Sequence, residues 1–111
     1  MKAKVRHVSR VSVVDLSGRI TIGEGDRVLR ETLQELLENG RRHILLNLAK
    51  VPYMDSSGIG ELIAGYKHAK EKNGSLKLLN PSDRVDELLR LTRLQEVFET
   101  FRDEQEAIGS F

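Results

Sequence analysis

The sequence predicts an α/β fold in which a mixed central β-sheet is packed with α-helices. Three observations carry that prediction. The chain opens on β-branched, alternating residues, and then helical and strand-like apolar patterns take turns to its end. The punctuation falls between those patterns, at Asn39-Gly40, Asn73-Gly74 and Pro81-Ser82. Helices that alternate with strands need right-handed crossovers and hence a largely parallel sheet, while the hairpin-like opening adds an antiparallel edge.

The elements follow in order. "VRHVSRVSVVDLSG" reads as one or two strands, the second near Val11 to Leu16, closed by Ser17-Gly18. In "RITIGEGDR", Gly23 and Gly25 bracket Glu24 as a turn, and Asp26 is placed to cap the helix that follows. Leu29, Leu33, Leu36 and Leu37 share one face of that helix, which Asn39-Gly40 ends. "HILLNL" is a short continuous apolar run, as expected of a strand buried on both faces. Ile59, Leu62, Ile63 and Tyr66 keep helical spacing up to Asn73-Gly74. "SLKLLN" is the next strand, and Pro81-Ser82 opens a helix carrying Val85, Leu88 and Leu89 on one face. "EVFETF" is expected as a short last strand and the tail as a final helical turn or two.

Composition narrows the function. A length of 111 residues suits one domain, residues 1–111, with a core large enough to need no metal or disulfide staple. The absence of cysteine excludes disulfides, thiolate metal sites and Cys nucleophiles. Eighteen Lys and Arg against seventeen Asp and Glu, spread along the chain, leave +1, so no strong attraction to nucleic acid or anionic membrane is expected. At 5%, aromatic residues are too few for base-stacking platforms. No apolar run is long enough to span a bilayer, and no apolar core follows the charged start, so a signal peptide is not expected. A cytoplasmic protein is the expectation.

The stretch "VPYMDSSGIGEL", residues 51 to 62, stands where a strand feeds a helix, the usual place for a site in such sheets. Asp55, Ser56 and Ser57 each suit a helix N-cap. A nucleophilic serine would need a base. His7 and His43 fall in strands, and His68 lies about three helical turns beyond Ser56, roughly 18 Å away. The motif is also not G-x-S-x-G. A phosphate cradle is disfavoured because no lysine or glycine-rich frame accompanies Gly58 and Gly60, and Asp55 would repel the anion. Tyr53 and Met54 lead into the motif, either as a small contact patch or buried under the sheet edge.

Asp55-Ser56-Ser57-Gly58-Ile59-Gly60, after "HILLNL" and "AKVPYM", closely resembles the STAS domain of bacterial anti-anti-sigma factors. The similarity continues in "GYKHAKEKNGSLKLLN", in "VDELLRLTRLQEVF" and around Gly18, and so covers nearly the whole chain. It implies the mixed-sheet STAS fold and a binding protein rather than an enzyme, with no resident cofactor. It also implies two partners: an anti-sigma factor that is a serine kinase, and a metal-dependent serine phosphatase. Only the unphosphorylated form would capture the kinase and free the sigma factor. The serine directly after the aspartate, here Ser56, would take the phosphate from ATP. Asp55, Ser57, Gly58 and Gly60 complete the motif, Gly58 either admitting a partner backbone or allowing a tight helix start. A scaffold or sensor module without regulated phosphorylation is the alternative. The resemblance departs at Gly18-Arg19-Ile20-Thr21, where many members of the family carry a G-E-[LIV]-D pattern in a loop that contacts the kinase.

Overall fold

Strands β1 (Lys2–Val8) and β2 (Val11–Ser17) pair as an antiparallel hairpin that turns at Ser9, whose φ is 56°. The computed structural model describes residues 1–111. Helix α1 (Glu24–Glu38), strand β3 (His43–Lys50), helix α2 (Ser56–Glu71), strand β4 (Ser75–Leu79) and helix α3 (Asp83–Leu91) follow. A 3-10 turn (Leu94–Glu96), strand β5 (Thr100–Phe101) and helix α4 (Glu104–Gly109) complete the chain. The strands lie in the order β1-β2-β3-β4-β5, and every pair after the first is parallel. The expected mixed sheet and the alternation of helices with strands are both present.

Side-chain alternation decides what covers each face of the sheet. Val14, Leu16, Ile44, Leu46, Leu48, Leu76 and Leu78 point to one side, where α1, α2 and α3 add Leu29, Leu33, Ile59, Leu62, Val85 and Leu89. Val11, Val13, Leu45 and Leu79 point to the other, beneath Ala107 of α4. "HILLNL" is thus buried on both faces because helices cover both. Short α4 is fastened by charge as well. Arg6 Nε donates to Asp15 at 2.7 Å and Arg6 Nη1 donates to Glu104 at 2.9 Å. These bonds hold both carboxyls below their usual range.

Leu62 anchors α2 to the sheet and is fully buried. Leu62→Ala removes that contact and leaves a cavity, so it should lower stability by about 3 kcal/mol. The check is a urea titration in which the midpoint falls and the slope stays constant.

Three expectations are corrected. Asp26 does not cap α1. The helix begins earlier, at Glu24, with Gly23 (φ 105°) as its N-cap, and Asp26 lies in the first turn. Gly25 is helical rather than a turn residue, and it is glycine because a Cβ there would lie 2.3 Å from the Arg19 carbonyl oxygen. "EVFETF" is strand only at Thr100–Phe101, where it pairs with Leu78 and Leu79. Phe98 is instead buried in the core and packs edge-on against Tyr66 at 5.3 Å between ring centroids.

Candidate functional site at the start of helix α2

The parallel connections bring the starts of α1, α2 and α3 to the same end of the sheet, beyond the carboxyl ends of β2, β3 and β4. The segments leading into α1 and α2 are stitched together there. Gly18 N donates to Lys50 O at 3.0 Å, Ile20 N to Tyr53 O at 3.1 Å, and Asp55 N to Ile20 O at 3.3 Å. Ser82 ties in the start of α3: its hydroxyl donates to Val51 O at 2.8 Å and accepts from Val85 N at 3.4 Å.

Asp55 is the N-cap of α2. Its Oδ1 accepts from Gly58 N at 3.1 Å and its Oδ2 from Ile22 N at 3.0 Å. One carboxylate therefore satisfies a free donor of α2 and also holds the loop that enters α1. These backbone donors, Ile22 foremost, lower the Asp55 carboxyl below its ordinary range. A group with a depressed folded value stabilises the fold above its unfolded value and loses that contribution as pH falls through the folded one. Asp55→Asn keeps a cap but forfeits the charged double acceptor. The melting-temperature gap between wild type and Asp55→Asn should be full at pH 7 and shrink below about pH 4. Thermal melts across that range check it.

Ser56 is the first residue of α2 and is exposed, whereas Ser57 is half-buried. The helix fixes the backbone of Ser56 and leaves its side chain open to a partner. Gly58 is buried. A Cβ there would stand 2.4 Å from Ile20 O and 2.6 Å from Met54 Cγ, so its place is one of tight packing at the helix start. Gly60 is exposed, with nothing within 4 Å of such a Cβ. The two readings of Tyr53 and Met54 are divided between them. Met54 is buried and bridges Ile20, while Tyr53 is 38% exposed.

Ser56 borders an open cleft of about 570 Å³ between α2 and α3, walled by Tyr53, Ile59, Arg84, Leu88 and Leu91. Glu87 and Thr92 line it too. The α3 wall escapes sequence reasoning, although one signal was present: Leu91 lies off the apolar stripe of Val85, Leu88 and Leu89, and it is 74% exposed. Ile22, beside Asp55, is 76% exposed. Exposed apolar side chains thus lie on the α3 wall of the cleft and in the loop that enters α1. No histidine lines the cleft. His7 contacts Ser12 at 3.0 Å, His43 contacts Ser75 at 3.3 Å, and His68 sits late in α2. No helix is long and apolar enough to cross a membrane.

Comparison with known proteins matches this frame. The STAS domain family model matches residues 2–107. The anti-sigma-B factor antagonist of Bacillus subtilis is 37% identical over 86 residues, 78% of this chain and 77% of that protein. A Thermotoga maritima protein provisionally described as an anti-sigma factor antagonist superposes with a TM-score of 0.90 at 23% identity, over 97% of this chain and 92% of its own. The anti-sigma factor antagonist SpoIIAA matches in its unphosphorylated form with a TM-score of 0.74, over 98% of this chain and 96% of its own. In its phosphorylated form, as the Bacillus cell fate determinant SpoIIAA, the score is 0.77, over 98% of both chains, and identity is 23% in each case. The chain belongs to the STAS domain family, with anti-sigma factor antagonists as its relatives.

Proposed function

We propose that residues 1–111 act as one STAS unit, a cytoplasmic anti-sigma factor antagonist switched at Ser56. The unphosphorylated chain binds an anti-sigma factor that is also a serine kinase, and the sigma factor is released. The kinase passes the γ-phosphoryl group of ATP to the Ser56 hydroxyl, which gives up its proton, and the product leaves. A metal-dependent serine phosphatase hydrolyses the phosphoester and restores the binding form. The observation that carries this reading is an exposed serine on a fixed backbone at a helix start, bordering a cleft with exposed Tyr53 and Leu91.

Electrostatics supports the switch. Phosphorylation adds roughly −1.5 to −2 charge at neutral pH. The start of α2 favours that charge and Asp55 opposes it, so the fold tolerates the modification. A partner surface complementary to a neutral hydroxyl must instead meet and desolvate a dianion for which it has no counter-charge. The similarity of this fold to both forms of SpoIIAA supports a switch that needs no refolding.

The test is displacement. The unphosphorylated chain, added to a purified complex of its cognate anti-sigma kinase with labelled sigma factor, should release the sigma factor stoichiometrically. Retention of the sigma factor at saturating chain would favour the scaffold reading.

A further inference from the structure

Arg84 is a cation without an anion. It projects from α3 into the cleft that Ser56 borders, and its guanidinium carbon lies 5.3 Å from the centre of the Tyr53 ring. No ion pair of the chain includes it. Glu87, three residues on, shares the cleft and pairs with no cation either. A guanidinium carries five N–H donors in a planar fork, and a ring face supplies none of the oxygens that fork fits.

We propose that Arg84 is the intramolecular receiver of a phosphate on Ser56, so that phosphorylation draws the guanidinium off Tyr53 and closes the cleft between α2 and α3. The inference rests on the reading of Ser56 as a phosphorylation site and deepens it. A phosphate offers three strong acceptor oxygens and pairs with arginine bidentately. Such a charge-assisted pair outweighs an exposed cation–ring contact, which decides where the guanidinium goes.

The other charges facing the position are few. Asp55 and Glu87 repel the phosphate, though Asp55 is committed to the N–H groups of Ile22 and Gly58. Arg19 attracts it from the far side of Tyr53, where a notch of about 380 Å³ is lined by Arg19, Pro52, Tyr53 and Arg84. The start of α2 attracts it as well. The ion pair would lie over the apolar wall of Leu88 and Leu91, which a partner's apolar side chain would otherwise meet. The phosphate would then act twice: it repels the partner and it fills the partner's place.

The experiment uses the full chain with phosphoserine encoded at position 56 during synthesis, so no kinase is involved. Phosphorus NMR follows the second phosphate ionisation of the wild-type and Arg84→Gln backgrounds. A guanidinium held against the phosphate favours its dianion. The expected result is an ionisation about 0.5 pH unit or more lower with Arg84 present, roughly a threefold change in proton affinity. Arg90→Gln, on the same helix but outside the cleft, should titrate like wild type. The Arg84 Nε–H resonance should shift on phosphorylation. Identical titration of wild type and Arg84→Gln, with no Arg84 shift, overturns the proposal. Amide spectra of each variant confirm that it is folded. Because the phosphate is built in, failure here leaves the kinase reading intact. Failure of a kinase to modify Ser56 leaves this contact measurable.

Discussion

Phosphoserine at position 56 should weaken binding of the chain to its anti-sigma factor kinase by about two orders of magnitude or more, with the fold unchanged. Setting the charge and bulk of a phosphate against a surface complementary to a neutral hydroxyl costs about 2–5 kcal/mol, and each 1.4 kcal/mol is tenfold in affinity. Ser56 shares its cleft with the exposed side chains of Tyr53 and Leu91, so a partner that covers these groups also covers the serine. Ser56→Ala removes only a hydroxyl and should bind within about threefold of wild type while accepting no phosphate there. Ser56→Asp carries one charge where phosphate carries nearly two, and it should weaken binding by roughly tenfold. Titration calorimetry of the three proteins against the kinase separates them. Amide spectra that match across the series show that binding, not folding, has changed.

Gly58→Val should be the most damaging single change at the site itself. A helical glycine is ordinarily a liability of about 1 kcal/mol against alanine. At position 58 that gain is overruled, because a Cβ would stand 2.4 Å from a backbone oxygen of Ile20, which cannot rotate away. Overpacking costs about 1–3 kcal/mol, so Gly58→Ala should destabilise on balance. Valine adds two more methyl groups and should lose about 3 kcal/mol or more. The damage should also reach the loop before α1, since Asp55 N bonds Ile20 O in the same layer. Gly60→Ala is the internal contrast. Nothing lies within 4 Å of its Cβ, so it should stabilise by up to about 1 kcal/mol. Urea titrations of the three variants give all the values.

Much of this architecture was legible because apolar periodicity and punctuation agreed. Leu29, Leu33, Leu36 and Leu37 define the buried face of α1, and Asn39 ends the helix. Ser82 caps α3 where Pro81-Ser82 predicted a helix start. Asp55 does cap α2, although composition alone left three residues as candidates. The misreadings share one cause, long-range packing. Gly25 looked like a turn residue, and only its approach to Arg19 explains why a glycine stands inside α1. Phe98 looked like part of a strand and was claimed by the core beside Tyr66. The site was half visible. The serine and its cap are contiguous in sequence, whereas Arg84, Leu88 and Leu91 reach the cleft only through the β4–α3 crossover.

The loop that departs from the family pattern carries a second unpaired cation beside Tyr53. Arg19 is exposed and forms no ion pair, and with Arg84 it flanks Tyr53. Two unpaired guanidinium groups beside the motif make a basic corner there. Charge complementarity of that kind governs partner choice and association rate more than raw affinity.

One measurement bears most directly on the switch at Ser56. The chain is incubated with ATP and its cognate anti-sigma factor kinase, and the phosphate is mapped by tandem mass spectrometry. The account predicts a single phosphate on Ser56, none on Ser57, and none anywhere in Ser56→Ala. Phosphate on Ser57 or at a distant residue, or no phosphate while the two proteins bind each other, would contradict it.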